Sequence, residues 1–310
     1  MRSTRFRAAL ALAAIVGVVA AGCAKSNPTG GGGTSAPPST GAFGVTKDAT
    51  IAAEVPSSIA SKGSVTVASD ASYPPMEFFA PDHKTVEGAD VDIGTAVGDV
   101  LGIKFNFVNA TFDGIIPGLQ SGKYDVGWSS FFDTKEREKV VDMVDYFQAG
   151  SGIFVKAGNS NSYTSLSQFC GQAVAAESGT TELDDAKAAS KKCPAGKSIK
   201  ALSFSDQNGV NLAVISGRAI AGLADTEVAL YQTKVTNGQL RFAGEYAAAV
   251  LYGIAVPRAK GAATGSGPMT KPILDALKKL YDSGVYAKIL QKWGIQKGAL
   301  TAPGMNQATS

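Results

Sequence analysis

The sequence predicts an α/β protein built on mixed, mostly parallel sheets. Strand-like apolar runs alternate with helix-spaced segments, and the 310 residues suffice for one large domain or two moderate ones with an apolar core. No fixed-period repeat interrupts the alternation.

In chain order, "SVTVAS" (64–69) is strand-like, and "DVDIGTAVGDVLG" (90–102) is a helix with Val91, Ala96, Val97 and Val100 toward the core. "IKFNFVNA" alternates as a strand, "FDGIIPGLQSG" is a short helix stopped at Gly122, and "YDVGW" and "GSGIFVKA" are strands. After Cys170 come strand "QAVAAES", helix "TTELDDAKAASKK", strand "SIKALSF", helix "QNGVNLAVISG" and strand "AIAGLAD". Thr181 and Asp184 fit a capping box at the start of the first of these helices. "LYGIAVP" is a further strand, and "MTKPILDALKKLYDSGVYAKILQKW" supplies the closing helices.

A formal charge of +3, dispersed without a basic stripe or a run of like charges, argues against nucleic acid as a partner. At the N-terminus, Arg2, Arg5 and Arg7 precede an apolar run from Ala8 to Ala21, too short for a permanent membrane span. Residues 1–22 are therefore expected to be a cleaved export signal. Ala20, Ala21 and Gly22 before Cys23 resemble the lipobox of bacterial lipoproteins, although leucine is more usual where Ala20 stands. The resemblance makes Cys23 the lipidated new N-terminus of an extracytoplasmic, membrane-anchored chain; cleavage as an ordinary secreted protein is the alternative. Gly, Ser, Thr and Pro dominate the stretch that follows, so residues 23–50 are expected to be a flexible tether. The two remaining thiols, Cys170 and Cys193, should pair as a disulfide in an oxidising compartment. With His83 the only histidine, they do not complete a zinc site, and neither metal nor cofactor is expected.

Seven segments, in order "VASDASYPPMEFF", "EGADVDIGTAVGDVLG", "FDGIIPGLQSGKYDVG", "TKEREKVVDMVDYF", "ESGTTELDDAKA", "LADTEVALY" and "YDSGVYAKILQKWG", resemble the bacterial extracellular solute-binding proteins of family 3. The resemblance runs from Gly63 to Gly294 and lies in the serial order of the motifs. It implies the two-lobe periplasmic-binding-protein fold (type II), with two hinge strands and a ligand clamped between the lobes. Lobe one would comprise residues 51–154 and 251–298, lobe two 155–250, and 299–310 a frayed tail. The implied function is that of a receptor for polar or basic amino acids serving an ABC importer. Its partners would be a free amino acid, the permease subunits and the membrane through the lipid, with the chain a monomer and not an enzyme.

A buried amino acid needs a partner at each charged pole. Arg137 offers a two-pronged match to a carboxylate and lies where the family places its carboxylate arginine. Thr180 and Thr181, at a helix start, match a second carboxylate contact. Asp225 matches the family's ammonium-binding aspartate, and Ser129 and Ser130 match positions that touch the ligand backbone. Asp70 and Tyr73 match the near wall and Phe112 the ring over the ligand, while Pro74 and Pro75 fix the turn between them and Phe78 and Phe79 pack. Taken singly, Arg137 also fits a solvated helix face, Thr181 and Asp225 fit helix caps, and Phe112 fits a core ring. Where the family often has Ser or Thr, the chain has Phe132, which removes a hydroxyl; Phe132 and Trp128 are expected to narrow the pocket. Asp70 and Glu177 both fall near the far end of the ligand, which favours a basic side chain, admits a glutamine amide and repels Glu or Asp.

Two further functions fit the same architecture: an amino-acid-sensing module that signals through another protein, and a cyclohexadienyl-type dehydratase using Glu177 beside Asp70 as acid catalyst. His83, the one histidine, sits in "APDHKTVEG", which reads as an exposed turn, so no hydrolytic triad is expected.

Overall fold

The computed structural model describes residues 41–309 apart from Ala42 and Lys260. The expected export signal and Cys23 lie outside the described residues. Among those described, no helix is long and apolar enough to cross a membrane.

The chain enters through α1 (Ala49–Ala52) and α2 (Ser57–Lys62), then forms β1 (Ser64–Ser69), β2 (Ser72–Tyr73), β3 (Glu77–Phe79), β4 (Val86–Glu87), α3 (Ala89–Leu101), β5 (Lys104–Asn109), α4 (Phe112–Gln120), β6 (Val126–Phe132) and α5 (Lys135–Glu138). The long strand β7 (Val141–Lys156) leads to β8 (Ala173–Glu177), α6 (Thr181–Ser190), β9 (Lys200–Phe204), α7 (Gln207–Ile215), β10 (Ala221–Asp225) and α8 (Thr226–Val235). A second long strand, β11 (Leu240–Pro257), returns to α9 (Thr270–Asp282), α10 (Val285–Trp293) and β12 (Ala299–Met305).

One sheet carries the strands in the order β5-β1-β6-β11-β7-β10-β8-β9, with β12 also beside β7, and a small sheet joins β2, β3 and β4. Pairing is parallel within each lobe, β5-β1-β6 in lobe one and β10-β8-β9 in lobe two. It is antiparallel where the two hinge strands β7 and β11 run side by side. The hinge strands cross between the lobes where Ala149 faces Val250 and Ser151 faces Ala247. Gly150 lies at that crossing because a Cβ there would stand 2.8 Å from the Ala247 carbonyl oxygen.

Central strands covered on both faces read as continuous apolar runs. All seven residues of β6 are buried. Ile273, Ala276, Leu277 and Leu280 form the buried stripe of α9, at i, i+3, i+4 and i+7. Cys170 and Cys193 are joined in a disulfide, with Cα atoms 5.6 Å apart, that ties the start of lobe two to the end of α6.

Four expectations need correction. On α3 the buried stripe is Ile93, Ala96, Val97 and Val100; Val91, two residues ahead of Ile93, falls off it and is only half-buried. The strands expected at "GSGIFVKA" and "LYGIAVP" are the ends of far longer ones, masked in β7 by the buried acids Asp142 and Asp145. The described part of the expected tether docks instead of hanging free: Val45 is buried, the Asp48 N–H donates to Val100 O, and the Asp48 side chain caps α1 and bonds Lys279. The expected tail, 299–310, contains β12, which pairs with the stretch of β7 that β10 leaves uncovered. Backbone and Asn306 side-chain bonds to Met143 extend that docking, so it needs few apolar residues and leaves little hydrophobic signal.

Candidate functional site

The parallel strands of both lobes end at the same place. Asp70 follows β1, Ser129, Ser130 and Phe132 end β6, Glu177 ends β8 and Asp225 ends β10. Together with Tyr73, Phe112, Arg137, Thr180, Thr181 and Glu182 they line one cavity. Ligand sites in α/β folds form at such carboxyl ends of strands. The lobes are drawn close: water-sized spheres can be centred in only about 10 Å³ of the cavity, room for roughly one water.

Four hydrogen bonds hold the lobes together around it. The Asp225 N–H donates to Tyr73 OH at 2.9 Å, and the Gln207 N–H donates to Ser72 Oγ at 3.0 Å. On the other side, Ser178 Oγ donates to Asp113 Oδ2 at 2.8 Å, and Arg137 Nη2 donates to Gly179 O at 3.2 Å. Gly179 has φ 80°, and a Cβ there would stand 2.8 Å from Asp113 Cβ, so both backbone and space call for glycine at this contact.

Arg137 stands at one end. Thr134 caps its short helix, Nη1 donates to Phe132 O at 2.7 Å, and the guanidinium lies 5.4 and 5.1 Å from the ring centres of Phe112 and Phe131. No ion pair among the described residues uses it, so its remaining donors are left for an anion. Phe112 and Phe131 stack at 4.5 Å, giving the guanidinium an aromatic bed.

The rest of the lining is acidic. Asp70 accepts from Ser72 Oγ at 2.6 Å and from the Phe112 N–H at 3.2 Å, and burial raises its pKa. Glu177 is 2% exposed, and its Oε1 has no hydrogen-bond partner among the described residues. Burial, and then the nearby Asp70 carboxylate, pushes its pKa well above the usual range. Asp225 accepts from Tyr252 OH, and its pKa is raised by burial and then by Glu182. Glu182 in turn accepts from Ser151 Oγ at 2.7 Å and Thr181 Oγ1 at 3.1 Å.

Beneath the cavity, Glu77 and Asp90 hold the two serines. Ser129 Oγ donates to Glu77 at 2.8 Å, and both the N–H and the hydroxyl of Ser130 reach Asp90 Oδ2. Ser130 has φ 48°, a strained conformation that these bonds stabilise at the cavity floor.

All eleven residues expected to meet the ligand thus line this one space. Several local expectations differ. Thr180, not Thr181, caps α6, accepting from the Leu183 N–H at 3.3 Å, so the box with Asp184 does not form. Asp225 occupies the N-cap position of α8 but makes no side-chain cap bond, because its carboxyl turns to Tyr252. Trp128 is fully buried between Phe105, Phe107 and Tyr146 and belongs to the core, not the pocket wall. Phe78 packs edge-on against Trp293, whereas Phe79 is 37% exposed. His83 lies in an exposed turn. Glu182 was missed: an acid in the first turn of a helix is explained by the helix dipole alone, which hides a second role.

Residues 65–296 match the family of bacterial extracellular solute-binding proteins, family 3, and the chain belongs to it. It is a substrate-binding protein and not an enzyme. It is 30% identical over 260 residues to an arginine-binding protein of Corynebacterium glutamicum, covering 83% of each chain. It is 31% identical to a glutamine-binding protein of an ABC transporter in Bacillus subtilis, over 69% of this chain and 74% of that one. The solved structure of an ancestral arginine-binding protein bound to arginine superposes with a TM-score of 0.67 at 34% identity, covering 74% of this chain and 98% of that one.

Proposed function

We propose that this protein is the extracytoplasmic receptor of an ABC importer for basic amino acids, of which arginine is the leading member. It would be lipid-anchored at Cys23 and would hand its ligand to permease subunits when the lobes close. The observation that carries the choice of ligand is Glu177: a buried carboxyl with an unpartnered oxygen, facing Asp70, in a cavity whose one cation is Arg137. Two acids in contact repel unless a cation or a proton separates them, and a guanidinium placed between them relieves both.

The poles are then assigned in order. Arg137, with the backbone N–H groups at the start of α6, would hold the ligand carboxylate, Asp225 the ammonium, and Asp70 with Glu177 the basic side chain. Tyr73 and Phe112 would cover the aliphatic stem. The similarity to two arginine-binding proteins supports this assignment, and the similarity to a glutamine-binding protein names its competitor. Calorimetric titration with arginine, lysine, ornithine, glutamine and glutamate tests it. The expected order puts a basic amino acid first and glutamate last; tighter binding of glutamine than of every basic amino acid would reject the choice.

A further inference from the structure

Asp70 borders two spaces. One is the ligand cavity, with room for roughly one water; the other, measured in the same way, is an open hollow of about 150 Å³. Both lobes wall the hollow, Asn109 and Thr111 from one, Ser205, Asp206 and Asn208 from the other. Asp70 is buried at its inner end, whereas Asn109, Thr111, Ser205 and Asn208 are exposed. The hollow therefore leads outward from the acidic pole of the cavity to solvent.

The turn between β9 and α7 brings a second acid to this place. β9 ends at Phe204, in register beside Glu177 of β8. Ser72 Oγ donates to Asp70 Oδ1 at 2.6 Å and accepts from the Gln207 N–H at 3.0 Å, which pins the preceding residue, Asp206, across the lobes from Asp70. The Asp206 carboxyl caps α7, accepting from the Gly209 N–H at 2.8 Å and from Ser205 Oγ at 3.2 Å. No lysine or arginine among the described residues lines the hollow, so its two acids face a space without a cation of the protein's own.

We propose that this hollow is an outer cation subsite of the ligand cleft. The basic end of the ligand passes Asp70 and lies between Asp70 and Asp206, so the closed receptor takes basic amino acids whose side chains are longer or bulkier than that of arginine. Asp206 is then a specificity-determining residue. The inference rests on the reading of Asp70 as the basic pole. A pocket sealed at its far end penalises one surplus methylene by about 10- to 200-fold. A pocket that opens into a wet hollow does not, because the surplus displaces water instead of packed side chains, and the charged end keeps part of its hydration. Carboxyl groups on both walls favour a cation there over a neutral or anionic end.

The test is calorimetric titration of the full-length chain with L-ornithine, L-arginine, L-homoarginine and Nω-methyl-L-arginine. The two extended ligands should bind the parent protein with a loss of less than about tenfold relative to arginine. Asp206→Asn retains a good helix cap and removes the charge, so it should weaken homoarginine by roughly two- to fivefold. Ornithine, whose shorter chain stops nearer Asp70, should lose less. Asn208→Trp fills the hollow from an exposed position and should penalise both extended ligands more than ornithine. A loss of about tenfold or more for both extended ligands in the parent protein would overturn the inference, with arginine binding and the receptor assignment left standing. Equal losses for ornithine and homoarginine in both variants would overturn it as well. A chain that binds neither arginine nor ornithine would refute the ligand assignment, and the inference with it.

Discussion

The hydroxyl of Tyr73, in lobe one, accepts a 2.9 Å hydrogen bond from the backbone N–H of Asp225, in lobe two. The bond joins the near wall of the cavity directly to the strand end that carries the buried Asp225 carboxyl. Tyr73→Phe keeps the ring and removes this acceptor. A buried N–H left without a partner costs about 1–3 kcal/mol, charged to the closed form alone. Calorimetry should show arginine affinity reduced by that amount while the thermal stability of the unliganded protein changes little.

Arg137→Ala should weaken arginine binding by roughly 2–5 kcal/mol, because the ligand carboxylate would close into the cavity without a cation. Arg137→Lys should recover only part of this, since an ammonium cannot serve Phe132 O, Gly179 O and a carboxylate from one planar fork. Equal affinities for parent and alanine variants would remove Arg137 from the ligand site.

These consequences were partly legible in the sequence. The strand ends and the motif order were enough to name eleven lining residues, since Asp70, Glu177 and Asp225 all stand where an apolar run stops. Glu182 escaped because its position has a sufficient local explanation. Trp128 was misplaced because in a strand buried on both faces the alternation that sorts wall from core is absent. The docking of residues 299–308 was invisible for another reason: it depends on Asp133 and Glu138 accepting from the Gln307 and Ala308 N–H groups, contacts that no periodicity records.

The same region predicts a pH effect on stability. Burial, and then Asp133, raises the Asp145 pKa to about 8, and burial raises that of Asp133 to about 6. A carboxyl whose folded-state pKa is raised binds its proton more tightly folded than unfolded. Its contribution is therefore complete at low pH and is lost as pH rises toward the folded value. Melting temperature in the absence of ligand should fall as pH rises from about 4, the ordinary carboxyl range, to about 8. Asp145→Asn should flatten that decline; an unchanged slope would show that Asp145 does not titrate there.

Removing residues 299–310 should lower the melting temperature, because Val144, Asp145 and Phe147 of β7 would lose their pairing strand and Asp133 its backbone donor. A truncated chain melting with the full-length one would show β12 to be dispensable.

The disulfide closes a loop spanning 23 residues in lobe two. Replacing Cys170 and Cys193 together by Ser should cost roughly 2–4 kcal/mol in urea unfolding. Neither sulfur lines the cavity, so arginine affinity should be retained.

Both ends of the described chain are fastened to the same lobe. Asp48 bonds Lys279 and Val100 near the start, while Gln307 and Ala308 bond Asp133 and Glu138 near the finish. The other lobe is joined to it through two backbone spans, β7 and β11, and carries neither end of the described chain. A fluorophore on exposed Lys200 paired with one fused at the C-terminus would report the swing of that free lobe. The molecule is in this respect already laid out as an optical sensor for its own ligand.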